Sequence, residues 1–371
     1  MPVGLYLHIP FCVSKCPYCD FYSVAATDVQ LDAYTDALSR SLADWAAKTG
    51  ETADTLYFGG GTPSLLGGKR LAHLTKTARR LFSISDDAEI TLEANPGDAL
   101  GDVFSAFAAV GGNRLSLGMQ AADDRQLRAL GRRHSVSQVE DAVRAANAAG
   151  ITNYSLDLML GTPEQTIEDV VYAAACCEQW GASHVSAYLL KLENGTPFAA
   201  APPPLPDEDA TVALYHAAAE ALERHGYRQY EISNFARPGY ESRHNTKYWN
   251  LDPYLGIGPS AHSFLGGKRF AYTRSLADFL GGNPPIAECP SPTAIPEGSA
   301  EEYAMLRLRL TEGLRETAFA ARFGAPIPTA WRDVAEKLPA SLIRTDADGI
   351  RLTRDGFLVS NTIISRLLDL T

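Results

Sequence analysis

Three closely spaced cysteines are the residues of this chain best suited to chemistry. They stand at Cys12, Cys16 and Cys19, separated by three and then two residues. Thiolates at this spacing can all face one metal centre, and no fourth cysteine or nearby histidine completes a tetrahedral zinc site. An iron–sulfur cluster held by three thiolates leaves one iron open to another ligand. The spacing predicts a reactive cluster, with a structural zinc site that borrows a distant ligand as the alternative.

A glycine run and several charged residues follow short apolar segments that resemble β-strands. Gly59-Gly60-Gly61 lets backbone amides approach a ligand closely, although such runs are also ordinary turns. Carboxylates at Glu93 and Asp157 can accept hydrogen bonds from an amine or from ribose hydroxyls. Arg132 can bind a carboxylate with its forked guanidinium group. Structural ion pairs and a surface arginine are the alternatives for these three charged side chains.

The elements that must position these residues are strands and helices in strict alternation. Apolar and β-branched runs predict six strands, and segments with 3.6-residue periodicity predict the helices between them. The predicted strands are Val3–Ile9, Thr55–Phe58, Glu89–Glu93, Arg114–Met119, Tyr154–Leu160 and His184–Leu190. The predicted helices are Leu31–Lys48, Lys69–Phe82, Asp102–Val110, Val136–Ala149, Ile167–Trp180 and Asp207–His225.

Six β/α units predict a parallel sheet, which a doubly wound fold and a barrel both satisfy. Polar or glycine-rich residues at five successive strand ends favour the barrel, because β/α barrels collect function at the carboxyl ends of their strands. We therefore expect an α/β fold with an open, partial (β/α)6 barrel. Three regions are expected: a core barrel at 1–235, an irregular aromatic-rich connector at 236–298, and a small winged-helix-like α+β domain at 299–371.

Composition excludes several classes of protein. The chain has 371 residues, is 46% hydrophobic and 21% charged, and carries a net charge of -11. A sequence pI near 5.2 argues against a duplex nucleic-acid reader, which normally shows a basic surface. The six cysteines do not form a paired disulfide framework: Cys176 and Cys177 have the pattern of buried helix residues, and Cys289 carries no signal. No apolar run is long enough to span a membrane, and we expect a reducing cytoplasm.

An aromatic region after the predicted barrel contains further potential ligands. His244, Tyr248 and His262 lie there and can ligate a metal or a haem iron. Structural packing is an equally good explanation for each of them.

Taken together, these motifs resemble the radical S-adenosylmethionine (radical SAM) superfamily. The resemblance is strongest to the branch that contains oxygen-independent coproporphyrinogen dehydrogenase (HemN) and the haem chaperones called HemW. It covers nearly the whole chain. The runs that carry it include LYLHIPFCVSKCPYCDFYS, TLYFGGGTPSLL, LGRRHS, YEISNFA, HNTKYWN and YLGIGPSAHS.

The resemblance implies a set of cofactors and contacts. Cys12, Cys16 and Cys19 would bind a [4Fe–4S] cluster, whose open iron is chelated by the amino and carboxylate groups of SAM. In the superfamily, an electron from the cluster cleaves SAM to a 5′-deoxyadenosyl radical. The residues that would hold SAM or flank this site are Tyr6, Tyr18, Gly60, Gly61, Thr62, Glu93, Gln120, Arg132 and Asp157.

Two departures favour the haem-chaperone side of the branch. The dehydrogenase carries a further cysteine where this chain has Phe21, and it has an N-terminal extension that is not expected before a strand starting at residue 3. We therefore expect a cytoplasmic protein that binds the cluster, SAM and haem. As haem ligands we nominate His244 first and Tyr248 second. It would deliver haem to respiratory acceptor proteins and associate with membrane surfaces only through them, as a monomer or a homodimer. The alternative is an active coproporphyrinogen dehydrogenase.

Overall fold

Six strands and their helices form the first part of the fold in a computed structural model that describes residues 1–282, 284, 286–288 and 295–369. Cys289 and part of the 281–298 stretch lie outside the described residues. The strands are β1 (Val3–Ile9), β2 (Ala53–Gly60), β3 (Glu89–Ala94), β4 (Arg114–Gln120), β5 (Tyr154–Leu160) and β6 (His184–Leu189). The helices are α1 (Asp28–Thr49), α2 (Gly67–Leu81), α3 (Gly101–Ala108), α4 (Asp124–Ala129), α5 (Val136–Ala148), α6 (Ile167–Gln179), α7 (Pro197–Ala200) and α8 (Glu208–Arg224), with a 3-10 turn at Pro63–Leu66.

Each of these six strands pairs in parallel with the next. The partial barrel predicted from the alternation is therefore confirmed. Local signals set the helix ends. Helix α1 begins at a capping box in which Thr27 and Gln30 satisfy each other's backbone amides, and it ends at Gly50 in the left-handed conformation. Its apolar stripe, which includes Leu38 and Leu42, is buried against the sheet.

The barrel sheet continues through the next part of the chain. The elements there are β7 (Arg228–Gln229), β8 (Asn234–Ala236), α9 (Arg243–Trp249), β9 (Tyr254–Ile257), β10 (His262–Leu265), β11 (Lys268–Tyr272), α10 (Leu276–Leu280) and β12 (Ile286–Glu288). Strand β9 pairs in parallel with β1, and β10, β11 and β12 follow it in antiparallel order. The described part of region 236–298, for which the sequence suggests an irregular connector, therefore contributes strands to the sheet. Its strands are short, and long-range pairing with β1 fixes their place in the sheet.

A small α+β unit ends the chain. Its elements are α11 (Ala300–Arg307), β13 (Leu314–Arg315), α12 (Glu316–Phe323), α13 (Thr329–Glu336), β14 (Ile343–Asp346), β15 (Gly349–Leu352), α14 (Arg354–Leu358) and α15 (Ser360–Leu367). The three strands form an antiparallel sheet, and Phe319, Trp331 and Ile364 belong to a second apolar cluster that also includes Tyr254 and Phe264. None of the helices in the described residues combines the length and hydropathy that a membrane crossing requires.

The inner face of the barrel is polar, and its amino-terminal end is closed by helix α9. Paired positions of neighbouring strands share a face, so Glu89 and Arg114 both point inward from β3 and β4. The Arg114 side chain is 2% exposed, and its Nε lies 4.0 Å from a Glu89 carboxylate oxygen. The other contacts of Glu89 are the backbone amides of Arg243 and His244, each at 2.9 Å. One buried carboxylate therefore joins the barrel wall to the helix that closes it.

Glu89→Ala tests this closure. The substitution leaves Arg114 buried without its counter-charge and two helix amides without an acceptor. We expect the free energy of unfolding to fall by about 3–5 kcal/mol, measured by urea denaturation. The matched control is Glu140→Ala, which breaks an exposed pair with Arg144 on α5 and should cost less than about 1 kcal/mol. Equal losses in the two variants would contradict the closure role.

Candidate functional site: the cysteine loop and the barrel mouth

The three cysteines lie on a loop that is closed at its base by backbone pairing. Phe11 and Val24 form a parallel bridge. The Cys12 amide donates to the Val24 carbonyl at 3.1 Å, and the Val24 amide donates to the Pro10 carbonyl at 2.8 Å. The twelve residues between these contacts are thus held at the carboxyl end of β1. This is the end of a β/α barrel at which function gathers.

A tight turn brings Cys16 and Cys19 to one side of the loop. The Cys19 amide donates to the Cys16 carbonyl at 3.1 Å, with Pro17 at the second position of the turn, where its fixed φ is favourable. Two other segments pack on this turn. Gly131, whose φ is +67°, has no room for a side chain because a Cβ would lie 2.8 Å from Pro17. The Phe198 amide donates to the Pro17 carbonyl at 3.0 Å.

The glycine run after β2 forms the second part of the site. The Gly61 and Thr62 amides donate to the carbonyls of Ile9 and Phe11 at 2.8 and 2.7 Å, which fastens the run to the base of the cysteine loop. A Cβ on Gly61 would lie 2.6 Å from the Phe11 carbonyl oxygen. Gly60, with φ at +115°, faces the His8 ring, which a Cβ would approach to 2.6 Å. Contacts within the protein therefore already require glycine at positions 60 and 61, before any ligand is considered.

A relay of polar side chains connects two of the thiols. Cys12 Sγ lies 3.5 Å from Thr62 Oγ1, which accepts a hydrogen bond from Asn95 Nδ2 at 2.8 Å. Asn95 Oδ1 accepts from Arg132 at 2.6 Å, and Arg132 also donates to Cys16 Sγ at 3.4 Å. A cavity of about 160 Å³ lies beside these residues and is lined by Cys16, Thr62, Asn95 and Arg132. The guanidinium group therefore places a positive charge next to a thiol.

Sequence reasoning assigned Asn95 no role, although its position just after a strand with Glu93 was a usable signal. A second residue that it missed is Gly118. A Cβ there would lie 3.0 Å from the Gln120 amide nitrogen and 3.1 Å from Arg132 and from Asn95. Three polar side chains therefore meet over this glycine. Gln120 itself has a φ of +67°, a left-handed conformation. It lies at a bulge, where the pairing register between β4 and β5 shifts.

Glu93 lies at the end of β3 beside the glycine run. Its carboxylate accepts hydrogen bonds from the Tyr57 hydroxyl at 2.8 Å and from the Gly60 amide at 3.0 Å. Burial raises the pKa of Glu93 to about 7, against the opposing effect of the Tyr57 hydroxyl. Tyr6 packs in the same place, stacked on Tyr57 at 6.1 Å, with its hydroxyl 3.1 Å from His8 Nδ1. A ligand cation reaching this carboxylate would favour its ionised form.

Asp157 occupies the neighbouring wall of the barrel, on β5. Both of its oxygens accept a hydrogen bond from Ser116 at 3.1 Å, and one also accepts from Ser155 at 3.1 Å. Burial raises the pKa of Asp157, while the serine hydroxyls lower it. The charge of Asp157 in turn contributes to the raised pKa of Glu93, so the two carboxylates act on each other across the barrel.

The donor set of the loop fits an iron–sulfur cluster. The three cysteines are partly buried and have no disulfide partner. Burial, and to a lesser extent the neighbouring Cys16 and Cys12, raises the pKa of the Cys19 thiol, so a bound cation would favour its thiolate form. Among the described residues, no three histidine, cysteine or carboxylate side chains form the ligand set of a single metal ion. In an iron–sulfur cluster each thiolate binds a different iron, so the three sulfur atoms do not have to surround one metal ion.

Tyr18 lies close to the thiols, as the resemblance implies. Its hydroxyl is 3.4 Å from Arg132, and its ring packs against Phe198 with centroids 6.2 Å apart. The structure thus brings Tyr18, Thr62, Arg132 and two cysteines into one neighbourhood. Tyr6, Gly60 and Glu93 form a second group beside it. Asp157 is linked to this second group by its electrostatic effect on Glu93.

His244 and Tyr248 lie elsewhere. His244 is 1% exposed and sits at the amino-terminal end of the barrel, opposite the cysteine loop. Its Nδ1 is 2.7 Å from the Thr55 hydroxyl, and its Nε2 is 2.8 Å from the Tyr248 hydroxyl. Both ring nitrogens and the phenol are therefore engaged within the protein. This arrangement does not support our nomination of His244 and Tyr248 as haem ligands, and we do not carry it forward.

Comparison of the whole chain with known proteins identifies the family to which it belongs. The model of the radical SAM superfamily matches residues 6–176, and the model of the HemN C-terminal domain matches residues 296–359. The heme chaperone HemW of Escherichia coli is 35% identical, over 99% of this chain and 98% of that protein. The chain belongs to the HemW family of radical SAM proteins.

Other members of the HemW family show similar agreement. The heme chaperone HemW of Mycobacterium tuberculosis is 37% identical over 99% of this chain and 95% of that protein. A mouse protein named radical S-adenosyl methionine domain-containing protein 1, mitochondrial, is 32% identical over 98% and 87%. Among solved structures, coproporphyrinogen III oxidase (HemN) from Escherichia coli superposes with a TM-score of 0.82 at 23% identity, covering 99% of this chain and 90% of that one. That likeness shows the fold.

Glu93→Gln tests the buried carboxyl of the site. The folded protein keeps this proton up to about pH 7, whereas an unfolded chain releases it near 4.5, so folding must oppose ionisation as the pH rises. Relative to the variant, the wild type should therefore lose stability between pH 4 and pH 8, by at most about 3 kcal/mol. Thermal unfolding of both proteins across this range measures the difference. The exposed Glu140→Gln should leave the pH profile unchanged, and a constant offset in Glu93→Gln would contradict the raised pKa.

Proposed function

We propose that this protein is a haem chaperone of the HemW type, which binds a [4Fe–4S] cluster, SAM and haem and passes the haem to acceptor proteins. The similarity to named haem chaperones over 99% of the chain is the observation that carries the proposal. Phe21, at the position where the dehydrogenase pattern has a cysteine, supports it. The acceptors that we propose are haem-containing respiratory proteins.

The loop cysteines would hold the cluster, and each neighbouring residue then has a defined task. Arg132 would balance the charge of the Cys16 thiolate, since it already donates to that sulfur. Thr62 and Asn95 would hold the distance between the glycine run and the thiols. Gly60 and Gly61 let the backbone come close to the bound methionine group. When bound, the cluster and SAM supply one-electron chemistry that the side chains themselves cannot perform.

The carboxylates would orient SAM. Glu93 would accept a hydrogen bond from the ammonium group, which would keep its carboxyl ionised at neutral pH. Asp157 and Gln120 would accept from ribose hydroxyls at the next two strand ends. Tyr6 and Tyr18 would cover the site from two sides, which excludes water from it.

Anaerobic reconstitution tests the cluster assignment. We expect wild-type protein to take up iron and sulfide, and Cys12→Ala, Cys16→Ala and Cys19→Ala each to lose them, because three thiolates are the minimum that holds such a cluster. The control is Cys176→Ala, which removes a buried thiol from α6 and should keep full iron content. Zinc uptake in place of iron and sulfide by the wild type would overturn the assignment.

Haem titration and an enzyme assay together test the chaperone function. We expect wild-type protein to develop a Soret band at one haem per chain and to transfer that haem to an apo-acceptor from a respiratory chain. With SAM, a reductant and coproporphyrinogen, it should release no protoporphyrinogen. Absence of the Soret band would end the chaperone proposal, and steady turnover of coproporphyrinogen would replace it with the dehydrogenase.

A further inference from the structure

The histidines of this chain differ in whether their ring nitrogens are already occupied. The sequence contains eight, all within the described residues. Seven make a side-chain hydrogen bond or ion pair: His8, His73, His134, His184, His216, His225 and His244. His262 makes neither in the described structure, and its side chain is exposed. A histidine with a free nitrogen at a protein surface is able to bind a metal without breaking an internal contact.

His262 belongs to the concave face of the open sheet. Tyr254 on β9 pairs with Gly4 on β1, and Phe264 on β10 pairs with Tyr254, so these residues share one face. Side chains two residues apart along a strand point the same way. His262 therefore projects to the same face as His8, which lies four residues after Gly4. Gly256 permits this packing, since a Cβ there would lie 2.2 Å from the His262 carbonyl oxygen.

The position of His262 along the strand puts it at the mouth of the barrel. It begins β10, which runs antiparallel to β9, so it lies opposite Gly256 near the carboxyl end of β9 and level with Tyr6 on β1. The charges of both His262 and Arg274 act on His8 near the end of β1. His8 in turn contacts the Tyr22 carbonyl of the cysteine loop at 3.2 Å. The imidazole and the cysteine loop thus share one end of the barrel.

Neighbouring residues supply what else a porphyrin needs. Arg274 donates to the Asp20 carbonyl at 2.9 Å and lies over the Tyr22 ring, and its side chain is exposed. Backbone hydrogen bonds pair residue 260 with residue 273 and residue 261 with residue 272. The segment that leads into His262 therefore lies beside the segment that leads into Arg274. Phe21 is 59% exposed on the adjacent loop. A planar apolar ring with carboxylate side chains fits an exposed phenyl group beside an arginine.

We propose that His262 is the axial ligand of the iron of bound haem, with Arg274 pairing a propionate and Phe21 contacting the ring. The inference rests on the proposed chaperone function. The ligand is exposed enough for the haem to leave again, as transfer to an acceptor requires.

Spectroscopic haem titration of variants tests the ligand. We expect His262→Ala to shift the Soret band and to weaken haem binding by at least about tenfold. His262→Gly should behave alike, and added imidazole should restore the wild-type spectrum, which a purely structural role would not explain. Arg274→Ala should weaken binding without shifting the band. The control is His225→Ala, whose ring is paired with Glu178 outside the barrel.

The outcomes separate this inference from the proposed function. A wild-type protein without a Soret band would refute the chaperone function and the ligand together. A normal wild-type band that is unchanged in His262→Ala would refute the ligand alone. Circular dichroism checks that His262→Ala stays folded; if it does not, His262→Gln, which keeps a polar side chain without a ligating imidazole, provides the same comparison.

Discussion

The backbone contact between the glycine run and the cysteine loop is the constraint on which the rest of the site depends. Two amides, from Gly61 and Thr62, donate to carbonyls of Ile9 and Phe11 at the base of the loop. This contact is possible only because Gly61 has no side chain, since a Cβ would lie 2.6 Å from a carbonyl oxygen. It holds two strand ends, one that carries the thiols and one that carries the glycine run, at a fixed distance.

From that contact, polar groups extend in two directions. One path runs along the rim of the barrel through Asn95 and Arg132 to Cys16, and it carries a positive charge toward the thiols. The other descends through Glu93 and Tyr57 into the barrel. Burial raises the pKa of this carboxyl, so the free protein disfavours the ionised form of Glu93, which is the form that a cationic ligand would stabilise.

The two ends of the barrel are built for different purposes. At the amino-terminal end, His244, Tyr248 and Glu89 are fully engaged in contacts that close the barrel. At the carboxyl end, the cysteine loop and His262 retain groups that can still bind a ligand. Because a fold hosts many functions, the likeness to HemN does not choose between the dehydrogenase and the chaperone. That choice rests on side chains such as Phe21 and on the family to which the chain belongs.

The sequence by itself determined the barrel and the loop that carries the three cysteines. Each strand or helix is recognised from the pattern of a few neighbouring residues, and Cys12, Cys16 and Cys19 lie close together in the chain. Local sequence pattern was therefore sufficient to predict both the barrel and the cysteine loop. Only the tertiary structure decided what depends on distant pairing. It showed that β9 to β12 extend the sheet and that Asn95 bridges Thr62 and Arg132. It also showed that His244 is enclosed, whereas His262 has no hydrogen-bond partner among the described residues. Whether a histidine nitrogen is occupied depends on partners far away in sequence, and no spacing rule reveals them.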